Sequence, residues 1–241
     1  MFLLLSIISF LPIVLLGIYI YKKDSVKEPK SLLMGLFASG FLAAILVVIV
    51  NLLLILIMPH FYLSGDYSQF SFFELFILVF LEVALVEEFM KWIMIRFIGY
   101  PHKDFDQIYD IIVYAVFVAL GFAAIENFFY VIEGGITLGI YRAILSVPGH
   151  VCFGVFMGYY LGLAKLNEKT NRKKYVKNMV LSILVPAIFH AIYNFCLMTE
   201  NLYFLLIFSG FIILIYVSAA RKINRLSKIE DNINDEFNDN I

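Results

Sequence analysis

Charge is scarce in this chain. Of 241 residues only 15% are Asp, Glu, Lys or Arg, while 62% are hydrophobic and the mean hydropathy is +0.91. A soluble domain carries about 45–50% apolar residues, so an ordinary soluble fold is excluded. Cysteine is nearly absent. Cys152 and Cys196 both fall in apolar runs, where they read as small buried hydrophobes and not as a disulfide or a thiolate ligand set. The contiguous His-Glu-x-x-His helix motif of zinc peptidases is missing. No basic stretch opens the first apolar run, Met1 to Phe10, so it reads as a retained span and not as a cleaved signal. No segment repeats at a fixed period, and a carrier built from matching halves usually shows one. The net charge of −1 is a sum of local imbalances, and no nucleic-acid partner is expected.

What the chain has in abundance is long apolar runs. Crossing a bilayer takes about 20 apolar residues. About seven runs meet that length: Phe2–Tyr21, Leu32–Met58, Phe72–Ile98, Ile108–Ile132, Leu138–Leu163, Asn178–Met198 and Leu202–Ala220. The fold class is therefore all-α, a polytopic transmembrane helix bundle. Its single domain is expected over residues 1–220, with the core spans over about 72–198. A cytoplasmic, disordered tail is expected over 221–241, acidic and Asn-rich from Glu230 to Ile241.

The connections alternate in charge. Lys22, Lys23, Lys27 and Lys30 follow the first run, whereas only His60 and Asp66 follow the second. Lys103 follows the third, which has Arg96 at its end, and the connection between the fourth and fifth has only Arg142, near the start of the fifth. Lys165, Lys169, Arg172, Lys173, Lys174 and Lys177 follow the fifth, and Glu200 without a base follows the sixth. Arg221, Lys222, Arg225 and Lys228 close the chain. The positive-inside rule turns this into a multi-pass plasma-membrane protein with its N-terminus outside and its C-terminus in the cytoplasm.

Against that background, polar groups within the spans stand out, because each charged residue at a helix centre costs roughly 2.5–3.5 kcal/mol on insertion scales. The third run holds Glu87 and Glu88 side by side, with Lys91 four and three residues on. One lysine can neutralise either carboxylate but not both fully, an arrangement that suits proton transfer. The same spacing fits an ion pair that glues helices together. The fourth run carries Glu126, Asn127 and Tyr130 after a small-residue stretch, with Glu126 and Tyr130 on one face. Glu126 could also sit among lipid headgroups. The fifth carries Pro148-Gly149-His150 and then Gly154, Gly158 and Gly162, a stripe that permits close helix contact. Proline before His150 can bend the helix and free a carbonyl. The sixth carries His190 and Asn194 on one face.

At these residues the chain resembles the PrsW family of intramembrane proteases, part of a superfamily with the type II CAAX prenyl endopeptidases. The matching pieces are Glu87-Glu88-Phe89-Met90-Lys91, Gly121-Phe122-Ala123-Ala124-Ile125-Glu126-Asn127 with Tyr130, Pro148-Gly149-His150, and His190 through Phe195. They cover the third to sixth runs, about half the chain. The resemblance implies an intramembrane endopeptidase whose site holds Glu87, Glu88, Glu126, His150, His190 and Asn194, with Lys91, Asn127 and Tyr130 in support. It also implies a transmembrane protein substrate, for some members an anti-sigma factor.

Two chemistries fit such a set. In one, Glu87 or Glu88 is the general base on a water and no cofactor is needed. His190 or Asn194 then stabilises the oxyanion, and His150 binds the water or protonates the leaving amine. In the other, His150, His190 and Glu87 or Glu126 hold zinc. The glutamate form is the expectation. A proton-coupled transporter would use similar residues, and a scaffold could keep the fold without chemistry. By topology Glu126, His190 and Asn194 lie nearer the outer half than Glu87 and Glu88. A tilted or broken third span would bring them together.

Overall fold

The computed structural model describes residues 2–57, 69–105, 107–199 and 201–238. Met58, His60, Asp66 and Glu200, used above for a span end and two connections, lie outside them. Among the described residues the fold is helical throughout. The helices are α1 (Phe2–Lys23), α2 (Lys30–Ile57), α3 (Phe72–Leu78), α4 (Leu85–Met94), α5 (Ile108–Tyr141), α6 (Val147–Asn167), α7 (Arg172–Met198) and α8 (Leu202–Asn238). Two π-helical stretches join neighbours without a loop, Val79–Ala84 between α3 and α4 and Arg142–Ser146 between α5 and α6, and a third, Ile95–Gly99, extends α4.

Among the described residues, five stretches are long and apolar enough to cross a membrane: Leu4–Lys23, Lys30–Ile57, Ile108–Asn167, Arg172–Met198 and Leu202–Lys228. The longest, of 60 residues, is two helices. It turns at Gly135, whose φ of 71° lies in the left-handed region that side chains resist. A count of seven would also need the rod from Phe72 to Gly99. That rod is apolar only between its charges, among them Glu82, Glu87, Glu88, Lys91 and Arg96, so it falls outside the apolar set.

Glycines set the central contacts. A Cβ on Gly154 would meet Ala115 and Ala119, one on Gly158 would meet Ile111 and Ile112, and one on Gly162 would meet Ile108. The reversed order shows α5 and α6 packed antiparallel along the small-residue stripe. Gly40 of α2 and Gly121 of α5 approach each other in the same way. A Cβ on Gly158 would lie only 2.6 Å from Ile112 Cα and 2.7 Å from Ile111 O, both backbone atoms that cannot step aside. Gly158→Leu is therefore expected to destabilise the bundle by about 1–3 kcal/mol or more. Gly210→Leu, where nothing stands within 4 Å, is expected to be nearly neutral. Thermal unfolding of the two purified variants in one detergent compares them.

The last helix differs from the sequence expectation. Instead of ending at Ala220, its backbone stays helical to Asn238, through most of the segment expected to be disordered. Part of the reason is a stripe at helical spacing, Phe208, Ile212, Ile215, Ala219, Ile223 and Ser227, all buried. Ser227 Oγ donates to Lys23 O at the end of α1, and Lys222 Nζ lies 3.5 Å from the Tyr159 ring centroid. Packing thus carries the helix past its apolar run.

Candidate active site

The third rod begins with a capping box. Ser71 Oγ accepts from Glu74 N at 3.3 Å, and Glu74 Oε2 accepts from Ser71 N at 2.9 Å. It then widens into the π stretch Val79–Ala84, one turn before Glu87 and Glu88. Such stretches insert a residue and re-aim the face that follows. The rod is thus interrupted just before the acidic pair.

Lys91 organises what comes next. Its Nζ lies 2.7 Å from Glu88 Oε1, 3.7 Å from Glu87 Oε2 and 3.3 Å from His150 Nδ1, and 3.9 Å from the Phe122 ring centroid. Glu88 and Lys91 are sealed, with 0% and 1% of their surface exposed. An ammonium only donates, so His150 Nδ1 accepts from it. The ring proton of neutral His150 then sits on Nε2, which donates to Glu126 Oε2 at 2.8 Å. On α7, His190 Nδ1 lies 3.0 Å from Glu88 Oε1. A carboxylate accepts, so Nδ1 carries the proton of a neutral ring. That leaves Nε2 bare, 3.9 Å from Glu87 Oε2. Phe153 stacks on the His190 ring at 5.0 Å and fixes its plane.

Glu126 is held from two sides, by His150 and by Arg142 Nη2 at 3.0 Å. Arg142 Nε donates to Asn127 Oδ1 at 3.0 Å, and its guanidinium lies 4.1 Å from the Tyr130 ring centroid. Asn127 in turn donates to Ser9 O of α1 at 2.9 Å. Arg142 is the group that sequence reasoning missed, having counted it only as a connection charge. The signal was its isolation: one base between two runs, shortly after the turn glycines. Proline also acts as expected. Pro148 has no N–H for Ile144 O, and the Tyr216 hydroxyl lies 3.1 Å from that carbonyl and 2.8 Å from Leu145 O.

A cavity of about 780 Å³ opens on this cluster. Glu87, Glu126, Tyr130, His150, His190 and Asn194 line it, and Arg142 joins them. Glu88, Lys91 and Asn127 lie behind the wall, bonded to residues that line it. The nine residues singled out in the sequence therefore divide into a lining set and a backing set. Glu126 is paired at the cavity wall. Glu87 Oε2 and Glu88 Oε2 are buried without a hydrogen-bond partner.

This fold and cavity define a class: an integral membrane helix bundle with carboxylates and imidazoles gathered on one internal space. The comparisons sharpen it. A family model described as PrsW family intramembrane metalloprotease matches residues 28–220. The chain is 39% identical over 228 residues to Protease PrsW of Oceanobacillus iheyensis, covering 93% of this chain and 98% of that one. It is 32% identical to Protease PrsW of Clostridioides difficile over 95% of this chain and 92% of that one. It is 34% identical to Protease PrsW of Halalkalibacterium halodurans over 73% and 78%. No solved structure matches the chain. The chain belongs to the PrsW family of intramembrane proteases.

That family description names a metalloprotease, so the donors must be tested against a metal. A catalytic zinc takes three protein ligands. Among the described residues no three His, Cys, Asp or Glu side chains are placed to hold one ion. The local reason is engagement. His150 Nε2 and Glu126 Oε2 bond each other, and Lys91 and His190 hold Glu88 Oε1. His190 Nε2 and Glu87 are left facing the cavity, which is one ligand short of a set. As arranged, the residues do not fit a metal.

Proposed function

We propose that this protein hydrolyses a peptide bond in a transmembrane protein substrate, with Glu87 as general base on a water. One observation carries the reading. Glu87 lines the cavity 3.9 Å from the bare Nε2 of His190, whereas its neighbour Glu88 is sealed behind and bonded to Lys91 and His190. Oε2 of Glu87 is itself buried, so the water is taken up at the cavity face of the same carboxylate, beside His190. Glu87 takes the proton as the water attacks the scissile carbonyl. Glu88 orients His190 and pairs with Lys91. Asn194 and Arg142, both on the cavity wall, can donate to the oxyanion. As the C–N bond breaks, the proton that Glu87 took passes to the leaving amine, and His150, bonded to Glu126 through Nε2, holds that carboxylate at the cavity wall beside it. The substrate class is a single-span membrane protein, of which an anti-sigma factor is one kind.

In the membrane, seven crossings with the N-terminus outside follow from the charge pattern, with the rod from Phe72 to Gly99 as the third. The cavity then opens toward the outer side. The test of function is cleavage of a co-expressed, tagged single-span protein by the native chain beside Glu87→Gln and Glu88→Gln. The test of chemistry is metal analysis. Purified active protein is expected to hold well under one zinc per chain, and prolonged chelation is expected to leave cleavage within about twofold. One zinc per chain that tracks activity through removal and return overturns the glutamate mechanism.

A further inference from the structure

Away from the catalytic cavity, a second hollow of about 430 Å³ lies between α1, α2 and α5. Ile13, Gly17, Met34 and Phe117 are among its walls, and Tyr21 and Lys30 stand at one end. The surface inside is apolar. It reaches from Ile13 to Tyr21 along α1, about 12 Å at 1.5 Å per residue. Its rim is open sideways: Val14, Ile18 and Met34 are 53%, 47% and 63% exposed, within stretches that cross the membrane. The missing side chain at Gly17 makes the hollow, since a Cβ there would rest 3.5 Å from Leu120 on the far wall.

The open end is basic. Lys30 lines it, and Lys27 Nζ, which donates to Lys22 O at 3.3 Å and to Asp24 O and so keeps its charge beside the opening, lies 5.5 Å from the ring centroid of Tyr21, which also lines it. Lys22 is exposed one residue beyond. The acids of the same connection are buried. Asp24 and Glu28 are 1% and 5% exposed, and the Tyr114 hydroxyl donates to Glu28 Oε2 at 2.7 Å. Burial raises the Glu28 carboxyl to about 8 and raises Asp24 as well, which further weakens any negative field at that end.

From the lipid-facing apolar hollow and the two ammonium groups at its end, we infer that this groove binds one anionic phospholipid. An acyl chain lies along Gly17 between α1 and α2, and the phosphate pairs with Lys30 and Lys27. Basic clusters at the cytoplasmic ends of spans recognise anionic headgroups in this way, each lysine contributing roughly fivefold in affinity. Charge complementarity selects a lipid over a substrate helix, since the groove offers no polar group along its length for a peptide to use.

Native mass spectrometry of the full-length protein in mild detergent tests this, titrated with phosphatidylglycerol or with phosphatidylcholine of the same acyl chains. One retained phosphatidylglycerol per chain is expected, favoured at least about tenfold over phosphatidylcholine. Lys27→Gln with Lys30→Gln is expected to bring the two lipids level, a loss of roughly 25-fold for the anionic one. Gly17→Phe fills the hollow and is expected to remove the bound lipid of either kind. Met34→Trp, on the exposed wall, does the same if Gly17→Phe does not fold. The inference fails if both lipids bind alike in the native chain, or if the lipid persists with the groove filled. It also fails if a hydrophobic single-span peptide displaces the lipid one for one.

Discussion

Glu87→Gln is expected to lower cleavage of a co-expressed single-span substrate by about 10²- to 10⁴-fold, the span that a positioned general base contributes. Protein level and thermal unfolding are expected to stay near those of the native chain. The two halves of this expectation come from one geometry. Glutamine has the size of glutamate but cannot take a proton from water. The structural loss is small, because Glu87 Oε2 makes no hydrogen bond and stands 3.7 Å from Lys91, which keeps Glu88 at 2.7 Å. Glu88→Gln makes the contrast. It removes the short pair of Lys91 and weakens the bond that orients His190, so activity and melting temperature are both expected to fall. Gel analysis of the tagged substrate, with detergent melts of both variants, separates the roles. Full cleavage by Glu87→Gln removes Glu87 as the base. Lost cleavage in Glu88→Gln beside full cleavage in Glu87→Gln moves that role to Glu88.

Sequence spacing could not make this distinction. Adjacent residues on a helix point about 100° apart, and either face could have met the cavity. The deciding feature is the π stretch Val79–Ala84, which no residue pattern announces. Other parts were legible because physics leaves few alternatives. Polar groups in apolar runs had to face one another, and His150, His190, Glu87 and Glu126 do. Glycines every fourth residue had to mark a close contact, and they meet α5. Arg142 was not legible as a site residue. Only the turn at Gly135 folds it back onto Glu126 and Asn127. The helical continuation past Ala220 was missed for a related reason. Composition there reads as polar, while burial of Ile223 and Ser227 depends on the neighbouring ends of α1 and α6.

Lys91→Met is expected to destabilise the folded protein by about 3–5 kcal/mol, the range for removing one partner of a buried ion pair. Lys91 is 1% exposed and its nearest carboxylate, on Glu88, is fully sealed. Methionine fills similar volume, so the penalty falls on Glu88, left charged with only His190 to offset it, and not on a cavity. The Phe122 face and His150 Nδ1 also lose their cation. Adding Glu88→Gln to Lys91→Met removes the stranded charge, and the double variant is expected to recover most of the lost stability. Non-additivity of that size is what a shared buried pair produces. Detergent melts of the native chain, both single variants and the double variant give the coupling directly. A cost under about 1 kcal/mol for Lys91→Met would mean that water reaches the pair, since exposed pairs contribute no more than that. The recovered double variant then asks a sharper question of function. If it folds but does not cleave, Glu88 and Lys91 serve the reaction by aiming His190 and His150. If it folds and cleaves, the pair is glue alone, and the chemistry rests on the residues that face the cavity.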